Sequence, residues 1–183
     1  MLASSRDSRI VGITAPHAAA GVTTVSNAFA EMSARWGAKT LLVDLSRVAA
    51  DAGNGNCWAP GLGDPKLFLE TNDRSYDVLQ AMPNSAPLGA FNSARHFRAS
   101  LVDELEDYAA IVLDIPPILD FSPETINPLV AAVACDAVII VCAKGRTTAD
   151  HLKQTVDAIT VAGGLIAGTV LNDLGRGRSR GRA

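Results

Sequence analysis

Residues 10–36 read IVGITAPHAAAGVTTVSNAFAEMSARW, and this stretch decides the fold of the chain. The apolar run 10–13 is short enough for a buried parallel strand. A loop ending at Gly21 follows it, and a helix is predicted from Val22 to the stop at Gly37. The residues predicted to form the buried face of this helix recur at steps of three and four: Val22, Val25, Phe29, Met32 and Trp36.

Strand, glycine-ended loop and helix in this order are typical of a P-loop, in which backbone N–H groups and a helix N-terminus face a phosphate. The pattern G-x-x-x-x-G-K-[ST] covers residues 16–23, PHAAAGVT. Gly21 and Thr23 fit it. Pro16 stands in place of the first glycine, and Val22 replaces the lysine that normally neutralises phosphate charge. The loop is therefore either a degenerate nucleotide site or only a tight strand–helix turn.

Composition limits the class of protein. The chain has 183 residues, of which 48% are hydrophobic and 19% charged, which suits one globular domain. Its apolar runs are shorter than the roughly 20 residues of a membrane span, and residues 1–9 lack the apolar centre of a secretory signal. The three cysteines, at positions 57, 135 and 142, form no ligand-like cluster, so we expect buried free thiols in a cytosolic protein.

The remaining periodicity predicts alternating strands and helices. We expect strands at 40–44, 109–114, 137–142 and 165–171, and helices at 75–82, 96–108 and 128–134, with a last helix capped by Thr147 and Asp150. Residues 46–66 should be loop, the acids at 103, 104, 106 and 107 a solvated face, and Tyr76 and Tyr108 core residues on helices. Such alternation predicts a parallel sheet with helices on both faces and ligands at the carboxyl ends of the strands. The polar residues at those ends are Thr14, Asp44, Asp114 and Asn172.

From Ile10 to Leu174 the chain resembles the bacterial tyrosine kinase family, P-loop proteins that partner polysaccharide co-polymerases in capsule and exopolysaccharide export. Residues 41–46 (LLVDLS) are similar to the family's A′ strand, L-L-I-D-x-D, and residues 111–117 (IVLDIPP) to its Walker B strand, V-I-I-D-x-P-P. Residues 75–79, 136–148 and 168–173 are similar to three further family segments. The resemblance implies a P-loop NTPase-like domain over 10–174. We expect residues 1–9 to be an extension and the Arg/Gly-rich residues 175–183 to be a disordered tail.

The resemblance also implies a site for ATP and Mg²⁺. It assigns Thr23 and Asp114 to the metal and Asp44 to the role of base for a tyrosine hydroxyl. The residues that it assigns to the nucleotide are Gly21, Val22, Thr23, Thr24 and Asn172. Each assignment has a plain alternative, since Thr23 could simply start the helix, Asp114 could face solvent, and His17 is expected to be an exposed loop residue.

Several departures from the family concern the chemistry. Ser46 replaces the second acid of the A′ strand, and none of the lysines at 39, 66, 144 and 153 is placed by sequence to substitute for Val22. The end of the chain carries no tyrosine cluster, and only nine residues precede Ile10, too few for the family's arginine-rich oligomerisation helix. We therefore expect a catalytically impaired pseudokinase that docks on a membrane co-polymerase in exopolysaccharide biosynthesis. Its expected place is the cytoplasm, with peripheral association at the membrane's inner face as an option that the sequence leaves open.

Two alternatives stay open. One is a working kinase or ATPase in which a residue from elsewhere supplies the missing charge. The other is a relative of the partition-type or division-site-type ATPases, which share the layout of these motifs but normally keep the loop lysine. The sequence leaves homo-oligomerisation open. Nucleic acid is not an expected partner, because the folded part of the chain is acidic.

The last nine residues, GRGRSRGRA, carry four arginines and no acid. The formal charge of the whole chain is −3, which leaves −7 for the rest. A disordered, solvated end is one interpretation of this composition. Attraction to an anionic membrane or to acidic loops of a membrane partner is the other, at about 1 kcal/mol per arginine near the surface.

Overall fold

The computed structural model describes residues 9–46, 57–70, 73–81, 91–122 and 125–173. Their six strands are β1 (Arg9–Thr14), β2 (Thr40–Asp44), β3 (Asp77–Gln80), β4 (Ala110–Asp114), β5 (Ala137–Ala143) and β6 (Ile166–Asn172). The four helices are α1 (Val22–Arg35), α2 (Ala94–Asp103), α3 (Pro128–Ala134) and α4 (Ala149–Ala162). A 3₁₀ turn spans Pro65–Phe68. The predicted α/β class is confirmed.

All six strands run parallel in the order β3-β2-β4-β1-β5-β6. The register places Asp44 opposite Asp114 on β2 and β4, and Asn172 opposite Ala143 on β6 and β5. Because parallel strands end at one edge, the polar residues predicted there do share the same edge of the sheet. This is the edge at which open α/β sheets bind ligands.

The sheet separates two apolar cores. The smaller core lies on the α1 side and includes Ile13, Leu42 and Val112. The larger core lies on the other side, where α2, α3 and α4 pack residues such as Phe97 and Ile159. Strands buried on both faces need consecutive apolar residues, which explains the uninterrupted runs in the sequence.

Gly12 allows the close packing in the centre of the sheet. A Cβ atom at this position would lie 2.6 Å from Cδ1 of Ile115 and 2.7 Å from Sγ of Cys135. Real Cβ atoms do not approach other atoms so closely, so the absent side chain is a packing requirement. Cys135 is itself a buried thiol outside any disulfide, as are Cys57 and Cys142, which confirms the prediction for the cysteines.

The helix predicted at 75–82 is wrong, since residues 77–80 form the edge strand β3. Val78 lies in the α1-side core and Leu79 in the opposite core, so two adjacent apolar residues serve opposite faces. Strand alternation explains this pattern better than the helical spacing of Tyr76 and Leu79. Tyr76 is nevertheless buried, as expected. Met82 lies outside the described residues.

The buried face of α1 also differs from the prediction. Val22, Val25 and Phe29 pack against the smaller core, but Met32 is 49% exposed and Trp36 is 81% exposed. The fully buried positions are Ser26 and Ala30. Small side chains let the helix approach the sheet closely, which shifts its buried stripe away from the larger apolar residues.

Two other helix boundaries need correction. Helix α2 ends at Asp103, earlier than the predicted 108, so Tyr108 is buried in the segment that follows it. Thr148, not Thr147, caps α4 by accepting a hydrogen bond from the N–H of His151. The hydroxyl of Thr147 instead accepts one from the N–H of Ala143. Asp150 is therefore not in the capping-box position.

The segment 57–70 is more ordered than the predicted loop. Trp58 is fully buried, and its Nε1–H donates a hydrogen bond to Glu104. Glu104 also accepts a bond from the N–H of Gly61, so it is not part of a simply solvated acidic face. The remaining expectations for residues 1–8, 47–56 and 174–183 lie outside the described residues. In the described part of the chain, no helix has the length and apolarity needed to cross a membrane.

Candidate functional site

The loop between β1 and α1 has the backbone shape of an anion site. Gly21 has a left-handed conformation, with φ of 88°, which permits the sharp turn into the helix. No described side chain caps α1, so its first N–H groups remain available for a ligand. Ala19 is also left-handed, with φ of 57°, a conformation that non-glycine residues seldom adopt.

Three side chains from distant parts of the chain hold the alanines of this turn. The carboxylate of Asp120 accepts hydrogen bonds from the ring of His17 and from the N–H of Ala18. Arg146 donates to the carbonyl of Ala19 at 3.2 Å. Asn172 donates from Nδ2 to the carbonyl of Ala20 at 2.9 Å. Asn172 thus lies at the predicted edge and contacts the loop itself.

A cleft of about 290 Å³ opens in front of this loop. Its walls come from the loop, from the start of α1 and from the residues after β2 and β4. They are His17, Ala18, Ala19, Gly21, Val22, Thr23, Ser46, Asp114, Ile115, Pro116 and Pro117. The cleft is large enough for the phosphates of a nucleotide, and the base and ribose would have to lie outside it.

Asp114 is the most unusual group in the cleft. Its side chain is 1% exposed, and neither carboxylate oxygen has a hydrogen-bond partner among the described residues. The pKa of Asp114 is raised to about 7, chiefly by burial and to a smaller extent by the charge of Asp44. The nearby hydroxyl of Thr23 lowers this pKa, although it lies outside hydrogen-bonding geometry. A buried, unpaired carboxylate of this kind is suited to a cation.

Thr23 is exposed and lines the same cleft, so the two residues assigned to the metal lie together. Val22 lines the cleft as well, and its side chain also packs against the α1-side core. Thr24 is exposed one position further along α1, and the described lining of the cleft does not include it. The local structure therefore brings together Gly21, Val22, Thr23 and Asp114.

One carboxylate oxygen of Asp44 is hydrogen-bonded to the nearby residue Ser46. Its Oδ1 accepts hydrogen bonds from the N–H of Ser46 at 2.9 Å and from the Ser46 hydroxyl at 2.7 Å. Ser46, which replaces the second acid of the A′ strand, lines the cleft. A neutral side chain therefore faces the cleft at this position.

The described residues of the cleft suit Mg²⁺, which needs few protein ligands. They do not form a site in which protein side chains alone surround a metal. No three His, Cys, Asp or Glu side chains converge as a metal site in the described part of the chain. Magnesium usually binds through one or two protein oxygens together with water and substrate phosphates. The unpaired carboxylate of Asp114 and the hydroxyl of Thr23 supply that limited set.

Both tyrosines of the sequence are unavailable at the surface. Tyr76 and Tyr108 are each 6% exposed. The Tyr76 hydroxyl donates to Asn27, and the Tyr108 hydroxyl donates to Asp77, each at 2.7 Å. Burial and the hydrogen bond to Asp77 raise the pKa of Tyr108.

Sequence reasoning missed Asp120 and Arg146. Arg146 stands within the segment 136–148 that carries part of the family resemblance, but its distance of 127 positions from Ala19 gives no local signal. Asp120 follows the Pro-Pro pair after β4, where a return to the loop could have been suspected. His17, expected to be exposed, is half-buried against Asp120 and the ring of His151, whose centroid is 4.4 Å away.

The fold and the site together define a P-loop NTPase-like α/β protein. Among solved structures, the chain is similar to the kinase domain of the Escherichia coli tyrosine kinase ETK, with 20% identity and a TM-score of 0.73 over 98% of this chain and 72% of that one. The VpsO kinase domain matches with 26% identity and a TM-score of 0.73 over 94% and 88%. The predicted likeness to bacterial tyrosine kinase domains is confirmed.

A second group of similar structures lies outside the tyrosine kinases. Cobyrinic acid a,c-diamide synthase from Mycobacterium smegmatis, solved with ADP and magnesium, matches with 16% identity and a TM-score of 0.69 over 90% of this chain and 74% of that one. No protein-family profile and no curated protein matches the chain by sequence.

Proposed function

We propose that this protein is a bacterial tyrosine kinase-type pseudokinase, which binds Mg²⁺ and nucleotide phosphate weakly and acts by docking on a membrane co-polymerase of exopolysaccharide biosynthesis. The observation that carries the proposal is the combination of Val22 with Asp114 in one cleft. Asp114 is a buried, unpaired carboxylate of the kind that holds Mg²⁺, whereas Val22 cannot neutralise a phosphate.

The accessible chemistry also favours binding over phosphoryl transfer. A kinase that phosphorylates its own copies needs an exposed acceptor, and the two tyrosines of this sequence are buried and hydrogen-bonded. The base assigned by resemblance, Asp44, already accepts two hydrogen bonds from Ser46. Phosphoryl transfer depends on positioning and charge stabilisation, so these changes should reduce catalysis more than binding.

Nucleotide binding by the purified protein should therefore be weak. A charge-assisted contact contributes about 1.5–3 kcal/mol, so the loss of the lysine weakens binding by roughly 10- to 150-fold. With a dissociation constant near 1 mM, 5 mM Mg-ATP would stabilise the fold by only about 1 kcal/mol in a thermal-shift experiment. A shift matching micromolar affinity, about 4 kcal/mol at a thousandfold excess, would contradict the pseudokinase proposal.

The basic end of the chain is the part that we propose contacts the membrane or an acidic loop of the partner. Deleting residues 175–183 should leave thermal stability unchanged and should lower recovery of the protein on anionic vesicles. Recovery of the full chain should fall with salt, because exposed charges are screened within about 8 Å at physiological ionic strength. Equal recovery of both proteins at low salt would show that this end is only a solvated tail.

A further inference from the structure

We infer that the outer edge of β6 pairs with the same strand of a second copy of this chain, so that two sheets join across a two-fold axis. The described sheet has two edges, formed by β3 and β6. An edge strand presents unpaired N–H and C=O groups, and proteins usually shorten, charge or cover such a strand. The inference goes beyond the proposed function and does not depend on nucleotide binding.

The β3 edge is short, charged and covered. Strand β3 has four residues, and one of them is Asp77. On its outer side, the N–H of Trp58 donates to the carbonyl of Gln80 at 2.8 Å. The N–H of Glu70 donates to the carbonyl of Val78, also at 2.8 Å. The segment 57–70 therefore satisfies the backbone of this edge.

The β6 edge differs in all three respects. Strand β6 has seven residues and contains neither a charged residue nor a proline. Among the described residues, its backbone hydrogen bonds are made on the β5 side, where the carbonyl of Asn172 accepts from the N–H of Lys144. Backbone groups of successive residues point to opposite sides of a strand, so Thr169 and Leu171 present theirs outwards.

The side chains along this edge are apolar and accessible. Leu171 is 68% exposed and lies opposite Cys142 of the larger core. Val170 is 36% exposed and lies opposite Val141 of the smaller core. A Cβ atom at Gly168 would meet nothing within 4 Å, so a second backbone has room to approach. A strand added here would remove apolar side chains on both faces of the sheet from water.

Residues 168–172 are suited to pairing with their own copy. The one irregularity in the register of β5 and β6 precedes them, so this stretch is regular. A two-fold axis at Val170 makes the pair antiparallel and places Leu171 of each copy opposite Thr169 of the other. Pairs of β-branched and apolar side chains stabilise neighbouring strands. The strand is uncharged, so the pairing brings no like charges together although each chain carries a net charge of −3.

The chain's own residues 174–183 match this edge less well. They follow β6 directly and consist mainly of glycine and arginine, with Leu174 as their one large apolar residue. Glycine is depleted in strands, and four arginines would bring charge rather than apolar surface to Leu171. A second copy of β6 supplies both the backbone partners and the apolar side chains.

Sedimentation velocity of the full chain, over a series from about 5 to 500 µM, tests the pairing. The wild type should pass from monomer to dimer within this range, because an interface of one strand pair is small. Leu171→Lys puts a charge on the edge and should raise the dissociation constant by about 10-fold or more. Leu67→Lys is the matched control, since Leu67 is 69% exposed beside the opposite edge of the sheet, and it should dimerise like the wild type.

A cross-link tests the register. In the proposed pair the two Val170 residues face each other without exchanging hydrogen bonds, a position at which the Cα atoms lie about 4.5 Å apart. This distance suits a disulfide, so Val170→Cys should give a covalent dimer under mild oxidation. Leu67→Cys is the control and should stay monomeric. Unchanged thermal unfolding will verify that each variant folds.

Three results would overturn the inference. One is a wild type that stays monomeric at the highest concentration, and another is equal dimerisation of Leu171→Lys and Leu67→Lys. The third is a dimer that forms only after deletion of residues 175–183, which would show that the chain's own end covers the edge. Since these experiments contain no nucleotide, weak or absent binding of Mg-ATP would count against the proposed function and not against the pairing of β6.

Discussion

Replacing Asp114 with asparagine should raise the free energy of unfolding of the metal-free protein at pH 8 by roughly 4 kcal/mol. The carboxyl is buried and unpaired, and its pKa is raised to about 7 in the folded protein. At pH 8 the wild type must therefore keep a buried negative charge that asparagine removes. Each pKa unit corresponds to about 1.4 kcal/mol, and the shift from an ordinary value near 3.9 is about three units.

The pH dependence gives the same prediction a second readout. Between the unfolded pKa near 3.9 and the folded value of about 7, the folded protein binds more protons at this site than the unfolded chain does. The contribution of Asp114 to stability is therefore full at low pH, declines as the pH rises through this window, and is constant above it. The asparagine variant should lack this decline.

Urea unfolding in the presence of EDTA, from pH 5 to pH 8, measures both effects. Asp157→Asn is a suitable control, because Asp157 is exposed and its ion pair is with Lys153 on the same helix face. Millimolar Mg²⁺ should stabilise the wild type at pH 8 and leave the Asp114 variant unchanged. Equal stability of the wild type and Asp114→Asn at pH 8 would show that the buried carboxylate does not destabilise the folded protein.

The substitution Val22→Lys should raise the affinity for Mg-ADP by roughly 10- to 150-fold. Val22 lines the cleft beside Gly21 and Thr23, so a lysine at this position would extend into the cleft. The loop there has the left-handed Gly21 and the uncapped helix start that suit a phosphate. The same side chain packs against the α1-side core, and its replacement should cost about 1 kcal/mol of stability. Isothermal titration calorimetry measures the gain, and thermal unfolding measures the cost.

The same variant should produce no phosphotyrosine. Ser46 still stands where a second acid would be, and Tyr76 and Tyr108 remain buried. Ala28→Lys is the control for a general gain of positive charge, because Ala28 is exposed on α1 and does not line the described cleft. Phosphotyrosine on Val22→Lys, detected by mass spectrometry after incubation with Mg-ATP, would mean that the single lysine is the only defect.

The sequence is sufficient for those parts of the fold that depend on local patterns. The strand runs and the glycine at 21 lead to the correct sheet and loop, because backbone conformation and burial act within a few residues. The edge strand β3 was mistaken for a helix because Val78 and Leu79 face opposite cores, which only the pairing with β2 determines. Trp36 was misplaced because the small side chains of α1 set its distance from the sheet.

The sequence predicts those site residues that belong to motifs, but not the residues that support the loop. Gly21, Thr23 and Asp114 belong to motifs whose spacing is visible along the chain, and the structure brings them into one cleft. The supports of the loop were not predictable, because Arg146 and Asp120 reach it only through the order of strands in the sheet. The high pKa of Asp114 likewise depends on its burial, and a position at the end of a strand does not by itself predict whether a side chain is buried.

The three side chains that hold the alanine loop also set a time at which the site can form during synthesis. Their contacts with Ala18, Ala19 and Ala20 span 102, 127 and 152 positions of the chain. Contacts of such long range close late, after the chain entropy of the intervening loops has been lost. A nascent chain that has not yet released Asn172 from the ribosome would lack the last of these supports. The proposed phosphate site would then be complete only after β6 has joined the sheet that begins with β1.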